Sequence, residues 1–269
     1  MTESNNAQPS DAAVLLRREG PIAILQLNRP DNRNSMTPEL LDGFAQAVRD
    51  VRAMPDVRCV VLTGTGACFS AGADFRSQIQ RDSGHLVSPE RSAAMYDPFL
   101  SLGDVEVPVL GALQGHAVGG GFGLSLMTDM RIVAEDAKYG ANFARLGLHA
   151  GMAISYLLPR LTGVPRACEL LFTGRLFSGR EGVAMGLFLR AVPADQVLAE
   201  TMALAEQIAQ SAPIAVRMMK KSIYQGLGWD PRTAAWREAF AQAATVETDD
   251  AKEGVAALLA KRPPQFQGR

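Results

Sequence analysis

Two glycine-bearing turns are where this chain can do chemistry. One is Ser70-Ala71-Gly72-Ala73-Asp74. The other is Gly119-Gly120-Gly121, between the apolar run Val109 to Leu113 and a second run from Leu124 to Met127. Glycine has no side chain, so a ligand atom can approach the backbone N–H groups of such a turn. The first N–H groups of a helix lack intrahelical partners, and the helix dipole favours negative charge at that end. Gln114 to Leu126 reads as strand, tight turn and helix start, which makes an anion or oxyanion site. The same glycines also suit plain backbone packing. An oxyanion hole needs two donors converging at about 2.7–3.1 Å from the developing charge. Two turns at neighbouring strand ends can supply one N–H each.

Few titratable groups accompany these turns. His149 stands just before an expected helix start, and its ordinary pKa near 6.5 suits acid–base work. The other reading is a histidine packed at a helix entry or a subunit contact. Asn142 and Arg145 flank Phe143. His116 reads as a satisfied turn residue, and His85 carries no signal. Cys59, Cys68 and Cys168 show no metal-ligand spacing, and their odd number argues against a disulfide framework. No metal is expected.

The elements that must position these groups follow from periodicity. Val14 to Arg18 and Ile22 to Leu27 form a hairpin around Glu19-Gly20-Pro21. Thr37-Pro38-Glu39 starts a helix whose inner face is Leu40, Leu41, Phe44, Ala47, Val48 and Val51. Arg58 to Thr63 is a strand. Arg76 to Pro89 is polar and aperiodic, and is expected as a lid over a site, the other reading being a plain surface loop. Glu90 to Leu102 is a helix and Val109 to Leu113 a strand. A helix ends near Asp129, Arg131 to Ala134 is a strand, and Lys138 to Ala141 is extended. Gly151 to Leu161 and Pro165 to Phe172 are helices. A short helix follows Ser178, and Leu189 to Val192 is a strand. Only helices follow Asp195, one with an inner face of Leu198, Met202, Ala205 and Ile208, another with Trp236, Phe240 and Ala243 on one face. The sum is an α/β core with a helical extension. Residues 1–13 form a disordered tail, 14–194 the core and 195–269 the helical region.

Composition narrows the partners. The chain has 269 residues, 47% of them apolar and 20% charged, as in a soluble globular protein. A net charge of -1 provides no field for nucleic acid or an anionic membrane. Met1 to Ala13 lacks the basic start and apolar stretch of a signal peptide. Pro108 to Thr128 has no charged residue, but its glycines break it as a membrane span. The expected address is cytoplasmic, with neither nucleic acid nor membrane as partner.

Three motifs then carry a resemblance. Phe69-Ser70-Ala71-Gly72-Ala73-Asp74-Phe75, Gly119-Gly120-Gly121 and Asp129-Met130-Arg131-Ile132-Val133-Ala134 resemble the crotonase (enoyl-CoA hydratase/isomerase) family. The likeness runs from Leu27-Asn28-Arg29-Pro30 through Leu171-Phe172-Thr173-Gly174 to Lys261-Arg262. It implies a spiral of ββα units with a helical C-terminal region that makes homotrimers, often paired into hexamers. It implies an acyl-CoA thioester as substrate, with coenzyme A as part of the substrate and no separate cofactor. The thioester carbonyl would be held by the N–H groups of Ala73 and Gly120. Arg33 matches a position that can meet the CoA phosphates, and Lys261 one that can reach a neighbour's CoA; each also reads as a solvated surface charge. Ala71, Gly72, Asp74, Phe75, Gly119 and Phe143 complete the implied substrate-binding set, although Asp74 beside its turn also reads as structural.

The departures matter as much. Hydratases of this family carry two glutamates, at the positions held here by Gly123 and Phe143. Relatives with other chemistries place an aspartate where this chain has Ala150 and Gly151. Acid–base groups of this kind are each worth roughly 10²–10⁴ in rate. The expectation is an acyl-CoA enzyme of the hydratase/isomerase type that is a poor 2-enoyl-CoA hydratase. The alternative is a non-catalytic acyl-CoA-binding protein. On helix propensity alone, glutamate at position 123 is expected to be accommodated.

Overall fold

A computed structural model describes residues 11–74 and 88–269. Residues 1–10 and 75–87 lie outside this description, and with them Phe75, His85, most of the expected lid and most of the expected tail. From Asp11 onward the chain is engaged: the carbonyls of Ala12 and Ala13 accept hydrogen bonds from Asn28, and Ala13 is buried.

Strands β1 (Val14–Glu19) and β2 (Ile22–Leu27) form the expected hairpin, with Val14 opposite Leu27. Helix α1 (Pro38–Arg52) begins where the Thr37 hydroxyl accepts the N–H of Leu40. All six residues of its expected inner face are buried. Each of its leucine, phenylalanine and valine side chains contributes about 1.5–3 kcal/mol by leaving water.

Three strand pairs follow: β3 (Cys59–Gly64) with β4 (Cys68–Ser70), β5 (Val109–Leu113) with β6 (His116–Val118), and β7 (Met130–Ala134) with β8 (Lys138–Gly140). The first strand of each pair enters a six-stranded sheet, β1-β2-β3-β5-β7-β10, where β10 is Arg190–Val192. The second strand enters a four-stranded sheet, β4-β6-β8-β9, where β9 is Phe177–Ser178. This distribution is the winding of the spiral. It corrects one expectation: β4 and β6 are strands of a separate sheet, so the glycine turns do not follow β3 and β5 directly. Runs of three residues are too short to show a period in sequence.

Helix α2 (Pro89–Leu100) packs on α1 through Phe99 and Phe44, whose rings meet edge to face at 4.9 Å. Helix α3 (Gly120–Leu126) leaves the triple glycine, with all seven residues buried. Its far end meets the Arg131 guanidinium, which donates to the carbonyls of Ser125 (3.3 Å) and Thr128 (2.6 Å) and to that of Leu187 (3.0 Å). Burial pulls the pKa of that guanidinium down to about 10. Helices α4 (Ile154–Thr162), α5 (Val164–Thr173) and α6 (Gly179–Ala184) complete the core. Gly151, Met152 and Ala153 precede α4 rather than belonging to it. Met152 and Ala153 both take left-handed backbone, with φ of 56° and 53°.

The rest is helical: α7 (Val197–Ala209), α8 (Pro213–Gly226), α9 (Pro231–Val246) and α10 (Asp249–Leu259). The buried stripe of α7 is Val197, Thr201, Ala205 and Ala209, so Leu198, expected inside, faces out. Trp236 and Phe240 share a face of α9 as expected, but that face is exposed, with the rings edge to face at 5.3 Å. Asp129 anchors α8 to the core. Its carboxylate accepts the Val109 N–H at 2.7 Å and the Tyr224 hydroxyl at 2.6 Å, and pairs with Lys220 at 2.8 Å.

Candidate active site

The two glycine turns meet because β4 and β6 are parallel neighbours, so their C-terminal ends emerge on the same side of the small sheet. The contact is backbone on backbone. Gly72 has a φ of 79°, and a Cβ there would lie 2.7 Å from the Gly120 nitrogen and 2.7 Å from the Val118 carbonyl oxygen. A Cβ at Gly121 would overlap the Ser70 backbone, and one at Gly120 would overlap the Met36 sulfur. At these three glycines the two turns leave no room for a side chain.

The first turn is held by a network that runs through the loop after β2. Asn34 is fully buried, and its amide nitrogen donates towards the carbonyls of Thr65, Cys68 and Phe69 at 2.9–3.1 Å. The Ser70 hydroxyl donates to the Asn34 carbonyl and accepts the Gly72 N–H. Ala71 donates its N–H to the Arg33 carbonyl, and Met36 donates to the Gly72 carbonyl. A single bridge pairs Met36 with Ala73. Arg33, Ala71, Gly72, Ala73 and Asp74 are thereby gathered at one place, with the exposed Arg33 side chain at its edge. Sequence reading missed Asn34, Met36 and Ser70 as the residues that shape the turn. Asn34 and Met36 gave no signal beyond their type in or beside a loop dense in turn formers, and Ser70 stood in the motif with no role assigned to its hydroxyl.

The second turn is held through β8. Gly119, with a φ of 57°, donates its N–H to the Gly140 carbonyl and accepts that of Gly123. Gly120 is the first residue of α3, where a backbone N–H has no intrahelical partner. Phe143 opens a short 3-10 helix (Phe143–Leu146), and its ring edge lies 3.7 Å from where a Gly119 Cβ would sit. The ring therefore walls the glycine turn.

Position 123 is closed. A Cβ on Gly123 would overlap the Cβ of buried Met152 and come within 3.3 Å of Ile154. The expectation that glutamate fits there is corrected: the limit is Met152, not helix propensity. The wall near the turns is thus made of Phe143, Met152 and Ile154, with Met36 behind Gly120. No carboxylate is among these residues.

The other expected residues are placed as follows. His149 is exposed beside the wall, and its Nδ1 lies 2.7 Å from the Ala150 carbonyl oxygen. His116 accepts the Lys138 N–H on Nδ1, which fits a satisfied turn residue. Lys261 is exposed just beyond α10 and is not joined to either turn by any described contact. Burial pushes the Cys59 thiol up to about 12 and the Cys68 thiol up to about 11. Two surface concavities, of about 610 and 770 Å³, lie along α8, one against residues 103–106 and the other against α9. Neither is lined by the glycine turns. No group of three or more metal-ligating side chains occurs among the described residues.

The sequence model for the enoyl-CoA hydratase/isomerase family matches residues 17–269. The chain belongs to that family. A putative enoyl-CoA hydratase of Thermus thermophilus is 37% identical over 250 residues, covering 92% of this chain and 98% of the relative. A crotonyl-CoA hydratase of Syntrophomonas wolfei is 32% identical over 254 residues, covering 94% and 97%. The crystal structure of an enoyl-CoA hydratase from Bacillus anthracis superposes with a TM-score of 0.89 at 32% identity, covering 96% of this chain and all of that one. The crotonase fold expected from the motifs is therefore the fold of this enoyl-CoA hydratase/isomerase family member, helical C-terminal region included.

Proposed function

We propose that this family member binds an acyl-CoA thioester and acts on it through the backbone N–H groups of Ala73 and Gly120. The observation that supports this is the backbone contact between the two turns, which leaves Gly72 room for no side chain beside the Gly120 nitrogen. The thioester oxygen accepts both N–H groups, and negative charge that develops on it as an enolate or adduct forms is stabilised there. Arg33 lies at the edge of the same turn, where a cation suits the CoA phosphates. Coenzyme A comes with the substrate, and no further cofactor is invoked.

The acid–base equipment is not that of a hydratase. Gly123 and Phe143 supply no proton-transfer group, and Met152 fills the side-chain space at 123. The protein is therefore a poor hydratase of short 2-enoyl-CoA. His149 is the candidate base: if its Nδ1–H donates to Ala150, Nε2 is free to accept a proton. A second reading, a non-catalytic acyl-CoA binder, is favoured by the apolar wall. The helical region assembles the protein into a homotrimer, or a hexamer of two trimers, in the cytoplasm, where Lys261 reaches a neighbour's CoA.

The test is turnover and binding of an acyl-CoA panel by the wild type and by Gly120→Pro. Proline suits a first helical position, removes the N–H and puts its ring in the ligand's path; because its Cβ also presses on the Met36 sulfur, circular dichroism first establishes that the variant is folded. Turnover is expected to fall by roughly 10²–10³. A folded variant with unchanged thioester binding and turnover overturns the assignment. His149→Ala, assayed across pH, decides whether that residue sets the pH profile.

A further inference from the structure

Tyr96 is the polar group that neither the family motifs nor the glycine turns account for. It lies on α2, three residues before Phe99, whose ring is locked against Phe44 on α1. Residues three apart share a helix face, so the anchor that fixes Phe99 also fixes Tyr96. The Tyr96 ring packs against the core among the half-buried residues. Its hydroxyl reaches the backbone of Gly151, where a Cβ would overlap the Oη. Gly151 adjoins Met152, the residue that closes position 123 on the helix leaving the second turn. The phenol thus stands one residue from an otherwise apolar wall of Phe143, Met152 and Ile154.

The state of the hydroxyl supports a ligand role. It has no hydrogen-bond partner among the described residues, and it is not sealed from solvent. The hydroxyl is therefore open to water and able to exchange that water for a ligand oxygen. A glycine at 151 is what lets the hydroxyl come this close.

We propose that Tyr96 is a specificity-determining residue, whose hydroxyl hydrogen-bonds an oxygen carried by the acyl chain of the thioester. The substrate class is then an acyl-CoA with an oxygen function beyond the thioester carbonyl, rather than a plain hydrocarbon chain. This rests on the acyl-CoA reading above. A wall built to hydrogen-bond a substrate oxygen discriminates against the analogue that lacks it, because the protein's own polar group is left unpaired.

The experiment is calorimetric binding of butyryl-CoA, 3-hydroxybutyryl-CoA and 4-hydroxybutyryl-CoA to the full-length wild type and to Tyr96→Phe. Circular dichroism checks the fold of the variant, which keeps the ring. The wild type is expected to prefer at least one hydroxyacyl thioester over butyryl-CoA by about fivefold or more, and Tyr96→Phe to bring that ratio close to one. No preference in the wild type overturns the proposal. So does a variant that keeps the wild-type ratio, whether or not all affinities fall together. If the wild type binds none of the three thioesters, the acyl-CoA reading itself fails, and the assignment of Tyr96 fails with it.

Discussion

Met152 decides what position 123 can hold. With Gly123 open only to a hydrogen atom, Gly123→Glu is expected to destabilise the protein, and Gly123→Glu/Phe143→Glu to gain little hydratase activity. Adding Met152→Gly removes the overlapping Cβ and suits the left-handed backbone there. The triple variant is expected to hydrate crotonyl-CoA faster than the wild type and faster than the double variant, followed as loss of enoyl-thioester absorbance. A wild type that already turns over at around 10 per second or more contradicts this. Gly123 and Phe143 could be singled out in sequence because they lie at fixed offsets from motifs. Met152, Asn34 and Tyr96 could not, since each acts across a long loop of chain on a backbone it meets only after folding.

Among the elements, those with a clear period or cap were legible: the hairpin, α1 with its threonine cap, and the short helix after Ser178. The last carries a reciprocal cap, in which the Ser178 hydroxyl accepts the Glu181 N–H and the Glu181 carboxylate accepts the Ser178 N–H. Ser178→Ala is expected to cost about 1 kcal/mol in urea unfolding. The Ser178 N–H holds the Glu181 carboxyl below its ordinary range, with a further contribution from Arg175. A lowered native pKa means that this stabilisation is present above the ordinary carboxylate range and is lost as pH falls through the native value. Glu181→Gln should therefore cost stability at pH 7 and little in strong acid. The strands β4 and β6 were not legible, because three residues show no alternation, and the buried stripe of α7 was misplaced because Thr201 took a place expected of an aliphatic side chain.

For the molecule as a whole, burial sorts the thiols. Cys59 and Cys68 are enclosed and shifted upward, whereas Cys168 on α5 is half-buried. At pH 8 a thiol reagent should label Cys168 first in the folded protein and all three cysteines after denaturation, as read by intact mass. The α8 and α9 surfaces expose Met219, Ile223, Leu227, Trp236 and Phe240. Patches of this kind ordinarily mark an interface. Sedimentation equilibrium is expected to return three or six times the chain mass of 28.8 kDa; a monomer at micromolar concentration contradicts it.

The closure of position 123 by Met152 also bears on how such a site can change over generations. Glutamate arriving first at 123 collides with a buried side chain. Glycine arriving first at 152 empties a packed volume, and emptying a buried methionine site costs about 2–5 kcal/mol. Each step alone is a loss and only the pair recovers, so the two substitutions are coupled in sign. A lineage at this sequence faces a valley between its present site and one with a carboxylate on α3. The need for both changes together, whichever comes first, then limits which reactions its descendants can reach.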